Sequence, residues 1–457
     1  MNSEGRGTLE LDLVAGLATG FLLLLIALVI VIGTQVGIRV KAQFPTGNKV
    51  GPYEALTVTF SEPADGALAV QKFSIQPNVK GKFQWADSKT LRFIPVEPYQ
   101  PNTIYTLSFS PGPLADNGGV LKKSQSWKFQ IRRPLVVYLV ADQQKRRLWT
   151  IETDNGKTSP LTDDSFKIFD FDASHNGEFV IFSAVNEQNG IDLWRVSRAG
   201  GNPLLLLQCG SDHCSNPAIS PDNRHVAYVR EAAGPTPDLP YGSPRIRVLD
   251  METKQDAPLY EDQQIIGFRP EWSPDGTYLS SYDGTKAEYR LLDLVTGNQL
   301  TIPSQTGATV TWSADNSTFV YTDLDTNEFG PHTRIREAKI SINDITTLFG
   351  EKDERDYNYN SLSWAPASNV LVIGLRPDAN NPEEALWLMN PSSLDGQAIT
   401  DQPGYIYNNP IWDLWGKALI FEQFKLKGVY KPEIGLWMPD MQEPRILAEG
   451  SMPHWLP

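Results

Sequence analysis

The sequence lacks the short motifs that mark several large enzyme families. It contains no Gly-x-Ser-x-Gly nucleophile elbow, no His-Glu-x-x-His metal motif and no glycine-rich phosphate loop. These absences argue against serine hydrolases of the elbow type, zinc peptidases and nucleotide-dependent enzymes. We predict that the protein is not an enzyme and uses no cofactor, although a catalytic group assembled from distant segments would leave no local motif.

Cysteine is almost absent. The 457 residues include only Cys209 and Cys214, in the phrase QCGSDHCSNP. Their short separation and the turn-forming residues between them favour a disulfide in an oxidising compartment. Two alternatives stay open: free thiols, and a metal site that adds His213 and takes a fourth ligand from elsewhere.

Positive charge is also scarce. The chain carries 40 Lys and Arg against 54 Asp and Glu, a net charge of −14, which argues against non-specific nucleic-acid binding through phosphate neutralisation. The deficit of positive charge is unevenly distributed along the chain, because residues 44–133 carry 11 basic and only 6 acidic side chains. A basic segment is attracted to anionic lipid, but an ordinary solvated surface is the simpler interpretation.

Only one long hydrophobic run occurs. Leu13 to Thr34 is 22 residues long and contains no charge, and at about 1.5 Å per residue it matches the roughly 30 Å hydrocarbon core of a bilayer. A cleaved signal peptide would have a shorter apolar region behind a basic start. We predict a tail at 1–12, a transmembrane helix at 13–34 and a linker at 35–43.

The charges around this run leave its orientation ambiguous. Arg39, Lys41 and Lys49 follow it and Arg6 precedes it, which favours a cytoplasmic location for the rest of the chain. Long domains translocate despite such bias, and the cysteine pair favours the outside. We expect a single-pass cell-membrane protein with extracytoplasmic C-terminal domains. Two Gly-x-x-x-Gly spacings allow a weak helix-mediated dimer: Gly16/Gly20 and Gly33/Gly37.

Residues 44–133 alternate polar and apolar side chains in short segments between turns, such as ALTVTFSEP and SWKFQI. This pattern predicts a small β-sandwich. The phrases VTFSEPAD, TLRFIPVEP and IYTLSFSPGPLADNGG resemble the bacterial Ig-like domain of surface-layer (SbsA) type. The resemblance implies an extracellular spacer or adhesion module.

A turn motif recurs along the rest of the chain. In its clearest copy Trp272 and Ser273 end a strand, and Pro274, Asp275 and Gly276 supply turn chemistry. Copies recur every 40–53 residues, the length of a four-stranded propeller blade. The other copies start at Ala173, Ile219, Trp312, Trp364 and Trp412, with a partial copy at Trp455.

A later strand also recurs seven times, from LWTI at Leu148 to LWMP at Leu436. The first copy has no turn motif before it, and the last turn motif has no such strand after it. We therefore predict that residues 134–457 form a β-propeller of seven blades, with six as the alternative, in which the C-terminal strand completes the first blade. Such closure removes free sheet edges.

These repeats resemble the TolB-type propellers of bacterial envelope proteins and the propeller domains of prolyl-oligopeptidase and dipeptidyl-peptidase enzymes. Two copies depart from the pattern, at Ala314 and Asn316 and at Ala367 and Ser368. The resemblance implies the fold rather than one activity, since propellers host many functions. The recurring tryptophans are predicted to pack within and between blades.

We therefore predict an all-β protein with an N-terminal transmembrane helix, an Ig-like β-sandwich and a β-propeller. Its predicted function is that of a membrane-anchored extracytoplasmic scaffold that binds an envelope or surface protein or glycan. One alternative is a hydrolase or lyase acting on envelope polymers. Another is a propeller that senses a ligand or cation, although the calcium-like start Asp323-x-Asp325 is followed by Glu328 where glycine is required.

Overall fold

The structure is a computed structural model that describes residues 14–27, 37–115, 118–142, 145–236, 238–308, 310–327, 330–350, 358–377 and 383–457. The chain divides into two compact units, Met1–Arg132 and Arg133–Pro457. In the described parts of both units, nearly all of the regular secondary structure is β-strand, so the all-β prediction is confirmed.

Residues 14–27 form a helix, α1, with exposed side chains. This helix lies inside the predicted span Leu13 to Thr34, of which Leu13 and residues 28–34 fall outside the described residues. Within the part of the chain that the structure describes, no helix is both long enough and apolar enough to cross a bilayer. The membrane anchor therefore stays a prediction.

The first unit contains one further helix, α2 (Gly66–Lys72), and ten strands in its described part. The strands are β1 (Val40–Phe44), β2 (Gly47–Val50), β3 (Leu56–Phe60), β4 (Phe73–Gln76), β5 (Gly81–Asp87), β6 (Thr90–Pro95), β7 (Ile104–Phe109), β8 (Gly112–Pro113), β9 (Val120–Leu121) and β10 (Gln125–Ile131).

These strands build a two-sheet sandwich around an aromatic core. One sheet has the order β1-β3-β6-β5 and the other β2-β10-β7-β4. The alternation read from the sequence is seen in β3, where Leu56, Val58 and Phe60 are buried and the residues between them are not. Rings from both sheets pack together, including Phe60 against Phe109 with centroids 5.4 Å apart. The sandwich predicted from residues 44–133 is present.

The strands of the second unit run from β11 to β38. They are β11 (Leu135–Asp142), β12 (Lys145–Glu152), β13 (Thr158–Pro160), β14 (Ile168–Ala173), β15 (Phe179–Val185), β16 (Ile191–Ser197), β17 (Leu204–Leu207), β18 (His213–Ile219), β19 (His225–Glu231), β20 (Arg245–Asp250), β21 (Asp256–Pro258), β22 (Phe268–Trp272), β23 (Tyr278–Asp283), β24 (Glu288–Asp293), β25 (Gln299–Pro303), β26 (Val310–Trp312), β27 (Thr318–Asn327), β28 (Gly330–Lys339), β29 (Asp344–Phe349), β30 (Asn358–Trp364), β31 (Leu371–Arg376), β32 (Ala385–Met389), β33 (Gly396–Ala398), β34 (Tyr405–Trp412), β35 (Leu419–Lys425), β36 (Glu433–Trp437), β37 (Arg445–Glu449) and β38 (Ser451–Leu456).

These strands form antiparallel groups of four. Each group is named here after its inner strand, which is called the first strand of the group. The β22, β26, β30 and β34 groups are separate sheets that follow chain order. The strand pairing of Ile191 with His213 joins the β14 and β18 groups into one eight-stranded sheet. In the β38 group, the last strand of the chain pairs with β11 and completes the sheet β13-β12-β11-β38.

The groups pack in a ring, each against the next and the β34 group against the β38 group. Arg198 secures the closure, because its guanidinium donates to the carbonyl oxygens of Leu456 (2.6 Å), Pro457 (2.8 Å) and Arg133 (2.6 Å). β38 thus supplies the fourth strand of the sheet that contains β11, β12 and β13.

The first strands, called inner strands here, share a bulge that the sequence analysis missed. Their pairing skips a residue in the β14, β18, β22, β30, β34 and β38 groups. In five of them a non-glycine residue at the bulge has positive φ: Asn216, Arg269, Ser361, Asn409 and Met452. Proline follows four of these residues, which suits a position where the ladder needs no N–H donor.

Candidate binding face

The ring has two ends with different connections. Because neighbouring strands run antiparallel, first-to-second and third-to-fourth connections lie at one end, called the turn face. Second-to-third connections and those between groups lie at the other end, called the loop face. Each turn that connects a first strand directly to the second strand of its group is five or six residues long, as at 273–277 and 365–370. The second-to-third loops vary widely, up to residues 232–244.

The turn face holds the repeat motif. Ser273 Oγ donates to Asp275 Oδ1 (2.7 Å) and accepts the N–H of Tyr278 (2.9 Å). Asp275 Oδ1 also accepts the N–H of Thr277 (2.9 Å), and Gly276 has φ 75°. The motif is therefore a self-bonded structural turn, and its polar groups are already used.

Copies that depart from the pattern keep the same geometry where asparagine replaces glycine. Asn223 and Asn316 both have φ 60°, a conformation that asparagine tolerates better than most residues. Turns also bond across groups, since Asn316 Oδ1 accepts the N–H of Asp275 (3.2 Å). Of the motif tryptophans, Trp312 and Trp412 are buried, and Trp272 Nε1 donates to Ala218 O of the preceding group (2.9 Å).

The loop face carries the exposed aromatic side chains. In the described part of residues 133–457, every Phe, Tyr or Trp classed as exposed lies at this end. These residues are Phe169, Tyr241, Phe268 and Tyr430. At the turn face the exposed large apolar side chains are aliphatic residues on separate turns, such as Val295 and Ile342. Aromatic anchors of this kind dominate many binding interfaces.

One side chain from each inner strand lines the centre of the ring of groups, which is called the channel here. Each precedes the motif tryptophan or its equivalent and is at least partly exposed: Asp172, Ala218, Glu271, Thr311, Ser363, Ile411 and His454. Glu271 is accessible, but the protein around its carboxylate displaces most bulk water. This desolvation, with the negative charge of Asp172, raises the pKa of Glu271 to about 8. The channel therefore holds a carboxyl group that titrates near neutral pH.

Buried carboxylates accept hydrogen bonds from bulge residues of neighbouring groups. Asp170 accepts the N–H of Asn216 in the next group (2.8 Å), and Glu422 accepts the N–H of Met452 (3.0 Å). Both donors are bulge residues of the following group, although Asp170 lies in the inner strand β14 and Glu422 in the second strand β35. Glu384 is also buried, with its oxygen 3.9 Å from Arg376, and desolvation raises the pKa of Glu384 to about 7. No local motif surrounds these acids in the sequence.

Cys209 and Cys214 are joined by a disulfide with Cα atoms 6.3 Å apart. Cys209 lies in the connection between β17 and β18, at the loop face, and Cys214 lies in β18. Between them, His213 stacks on Tyr241 with ring centroids 3.7 Å apart. With both sulfurs bonded to each other, the thiolate metal site considered above is not formed. The described residues contain no group of three or more His, Cys, Asp or Glu placed to hold a metal ion.

The acids of the calcium-like stretch are paired with arginines. Asp323 lies 3.3 Å from Arg336, and Asp325 lies 3.2 Å from Arg334. Both acids belong to β27, which pairs with β28 as one long hairpin. The extended hairpin and these ion pairs give the stretch a structural role at the loop face.

Two cavities open at the loop face. One, of about 330 Å³, lies in the β14 group against Phe166, Trp194 and Asp192. The other, of about 480 Å³, lies between the β30 and β34 groups against Tyr405, Lys425 and Glu383. Volumes of this size match small-molecule sites in proteins. Of the residues that line these cavities, the sequence analysis noted Trp194, as one of the recurring tryptophans predicted to pack within and between blades.

Comparison with known proteins bears on the folds of both units. Residues 34–131 match the family of the bacterial Ig-like domain. The bacterial Ig-like prediction is thus confirmed. No curated protein sequence matches this chain.

Solved structures resemble the chain at low sequence identity. A prolyl endopeptidase is 14% identical, with a TM-score of 0.53 over 84% of this chain and 52% of that one. Oligogalacturonate lyase from Vibrio parahaemolyticus is 13% identical, with a TM-score of 0.50 over 69% and 85%. TolB from Acinetobacter baumannii is 10% identical, with a TM-score of 0.43 over 84% and 83%. At such identities the likeness concerns the fold, and the propeller-like fold prediction is confirmed at that level.

Proposed function

We propose that this protein is a membrane-anchored extracytoplasmic binding protein whose propeller recognises an envelope or surface partner through its loop face. The observation that carries the proposal is the restriction of exposed aromatic side chains to this face, at Phe169, Tyr241, Phe268 and Tyr430. The long loop 232–244 and both cavities lie at the same end. Surface loops on a rigid scaffold are the usual place for recognition.

Three further parts of the proposal concern the architecture. The propeller has seven blades, which the grouping of β11 to β38 in fours supports. The uncharged run Leu13 to Thr34 anchors the chain. The Cys209–Cys214 disulfide supports an oxidising location. The Ig-like unit then acts as a spacer between the bilayer and the propeller.

The test is site-specific photocrosslinking of the full chain in cells. A photoreactive residue replaces Tyr430 or Tyr241 on the loop face, and Val295 or Ile342 on the turn face serves as the matched control. We expect discrete, saturable adducts from the loop-face positions and none from the turn-face positions. Equal adducts from both faces, or none from either, would refute the proposal.

The second candidate function is catalysis on an envelope polymer by acids in the central channel. It is favoured by Glu271, whose pKa of about 8 suits a general acid at neutral pH, and by the neighbouring charge of Asp172. A lyase and a peptidase are among the proteins with a similar fold. Incubating the full chain with envelope glycans and peptides tests this function. Turnover that Glu271→Gln abolishes would establish it, and no turnover would leave the binding role.

A further inference from the structure

The cavity of about 330 Å³ in the β14 group has the composition of a site for a cation. Its lining includes two acids, Asp192 and Glu187, and two aromatic residues, Phe166 and Trp194. No Lys, Arg or His belongs to the lining. The two rings meet edge to face with centroids 5.1 Å apart, so they form one continuous aromatic wall.

Asp192 is the unusual member of this lining. Its residue surface is only 5% exposed. Oδ1 accepts the N–H of Cys209 (2.7 Å) and the side-chain N–H of Asn186 (2.9 Å). Oδ2 receives no hydrogen bond, and the carboxylate has no ion pair, from any residue that the structure describes. One oxygen of a buried carboxylate therefore lies against the cavity without a donor.

A buried carboxylate without a compensating charge is costly, and a donor that brings a positive charge compensates it best. A hydroxyl group donates to Oδ2 but leaves the charge in place. An ammonium donor adds the attraction between opposite charges to the hydrogen bond, and this attraction is larger where water is partly excluded. Aromatic rings add attraction for a cation and much less for a neutral donor.

We infer that this cavity binds a primary ammonium group, held by Asp192 Oδ2 and flanked by Phe166 and Trp194. This inference rests on the proposed function, since it names one chemical feature that the loop face recognises. The ammonium comes either from a lysine-type side chain of a peptide or from an amino sugar. Both sources offer the same three N–H donors and the same charge.

The disulfide maintains this site. Cys209 supplies the N–H that orients Asp192, and Gly210 O accepts a hydrogen bond from Asn186 Nδ2 (2.7 Å). Asn186 in turn accepts the N–H groups of Gln188 and Gly190 through its own oxygen (both 2.9 Å). The loop that forms the cavity wall is thereby tied to the connection that the disulfide closes.

Calorimetric titration of the full chain in detergent tests the inference with matched probes. N-α-acetyl-lysine amide is compared with N-α-acetyl-norleucine amide, and glucosamine with glucose, so that each pair differs chiefly in the ammonium group. We expect at least one charged probe to bind roughly ten- to hundredfold more tightly than its neutral partner. Preference within the lysine pair identifies a peptide source, and preference within the sugar pair identifies an amino sugar.

Asp192→Asn, which keeps the shape of the side chain, is expected to abolish this preference, while Asp440→Asn, an exposed position away from the cavity, retains it. Equal binding of charged and neutral probes, no binding by any probe, or full preference in a folded Asp192→Asn protein overturns the inference. The comparison of probes on the unmodified protein decides the case even where the variant does not fold.

Photocrosslinking separates this inference from the proposed function. Loop-face adducts without any preference for an ammonium probe would overturn the inference alone. If neither loop-face adducts nor a preference for an ammonium probe were found, the proposed function would be overturned as well.

Discussion

The turn face and the loop face of the second unit are built from the same strands but follow different rules. At the turn face, five- or six-residue turns use their own serine and aspartate side chains, as Ser273 and Asp275 do. At the loop face, connections reach the length of residues 232–244. There a buried carboxylate such as Asp192 keeps an oxygen without a donor among the described residues.

This difference separates residues that specify the fold from residues available for recognition. Turn-face polar groups are satisfied locally, so changing them should affect stability alone. The loop face instead carries the exposed aromatic rings, and the channel carries an accessible acid, Glu271, near the turn-face end of β22. Changing these should affect binding more than stability. The following predictions test that division, in order of decreasing expected effect.

The largest effect is expected where the turn face meets the closing strand. Gly177 has φ 69°, and a Cβ there would lie 1.7 Å from Pro457 O. Gly177→Ala should destabilise the second unit by roughly 3–5 kcal/mol, through backbone strain and overpacking together. Gly156 has φ 71° with nothing within 4 Å of its Cβ position, so Gly156→Ala should lose only about 1–2 kcal/mol.

Denaturation followed by tryptophan fluorescence measures both variants, because ten of the 12 tryptophans lie in residues 133–457. Similar losses for the two glycines would mean that the chain end is not held against this turn.

Removal of the loop-face disulfide should have the next largest effect. Cys209→Ser with Cys214→Ser should destabilise the second unit by about 2 kcal/mol, since the closed loop is short. Reduction of the unmodified protein should do the same, because the chain has no other cysteine. Affinity for the ammonium probe should fall as well. A loss of stability with unchanged probe affinity would show that the disulfide does not support the cavity.

Single turn-face side chains should contribute less. Ser273→Ala removes the acceptor for the N–H of Tyr278 and the donor to Asp275, and should lose about 1 kcal/mol. Ser368 occupies a divergent copy and makes no side-chain hydrogen bond with the described residues, so Ser368→Ala should stay within about 0.5 kcal/mol. Measurable loss of partner binding in Ser273→Ala would contradict the division between the faces.

The smallest effect on stability is expected from the channel acid. The pKa of Glu271 is raised from 4.5 to about 8 in the folded protein, so its protonated form favours folding. Its contribution is fully present below about pH 4.5, declines as the pH rises and is lost above about pH 8. Because Glu271 is accessible to water in the channel, screening should keep the effect within about 1 kcal/mol.

Glu271→Gln should flatten this part of the pH–stability profile between pH 5 and 8. Thermal denaturation of both proteins across that range provides the measurement. A stability that rises with pH only when Glu271 is present would give the wrong sign and reject the assignment.

The sequence predicts the structure best where the same turn motif recurs along the chain. The turn at Trp272–Gly276 was recognisable because Pro, Asp and Gly occupy positions set by backbone geometry. Asn316 departs from the motif in sequence, but its positive φ lets it replace glycine. The bulge also left a signal that was not used, namely a proline after Asn216, Arg269, Asn409 and Met452.

The candidate site left no comparable signal. Asp192, Phe166 and Cys209 lie on three separate segments that meet only in the folded β14 group. An aspartate near the start of a strand is ordinary in sequence, and its significance comes from burial and an oxygen without a donor. Glu271 is similar, since its raised pKa depends on desolvation by the surrounding protein and on Asp172, a residue 99 positions earlier in the chain. Such features arise from tertiary packing rather than from local pattern.

The pairing between β11 and β38 forms late in synthesis, because the two strands lie far apart in the sequence. Leu135 pairs with Leu456, and ribosomes add about 5–20 residues per second. The edge of β11 therefore waits roughly 15 to 60 s for its partner after it leaves the ribosome. An unpaired hydrophobic edge invites pairing with other chains. The time between the synthesis of β11 and that of β38 thus determines how long this edge is exposed to misassembly.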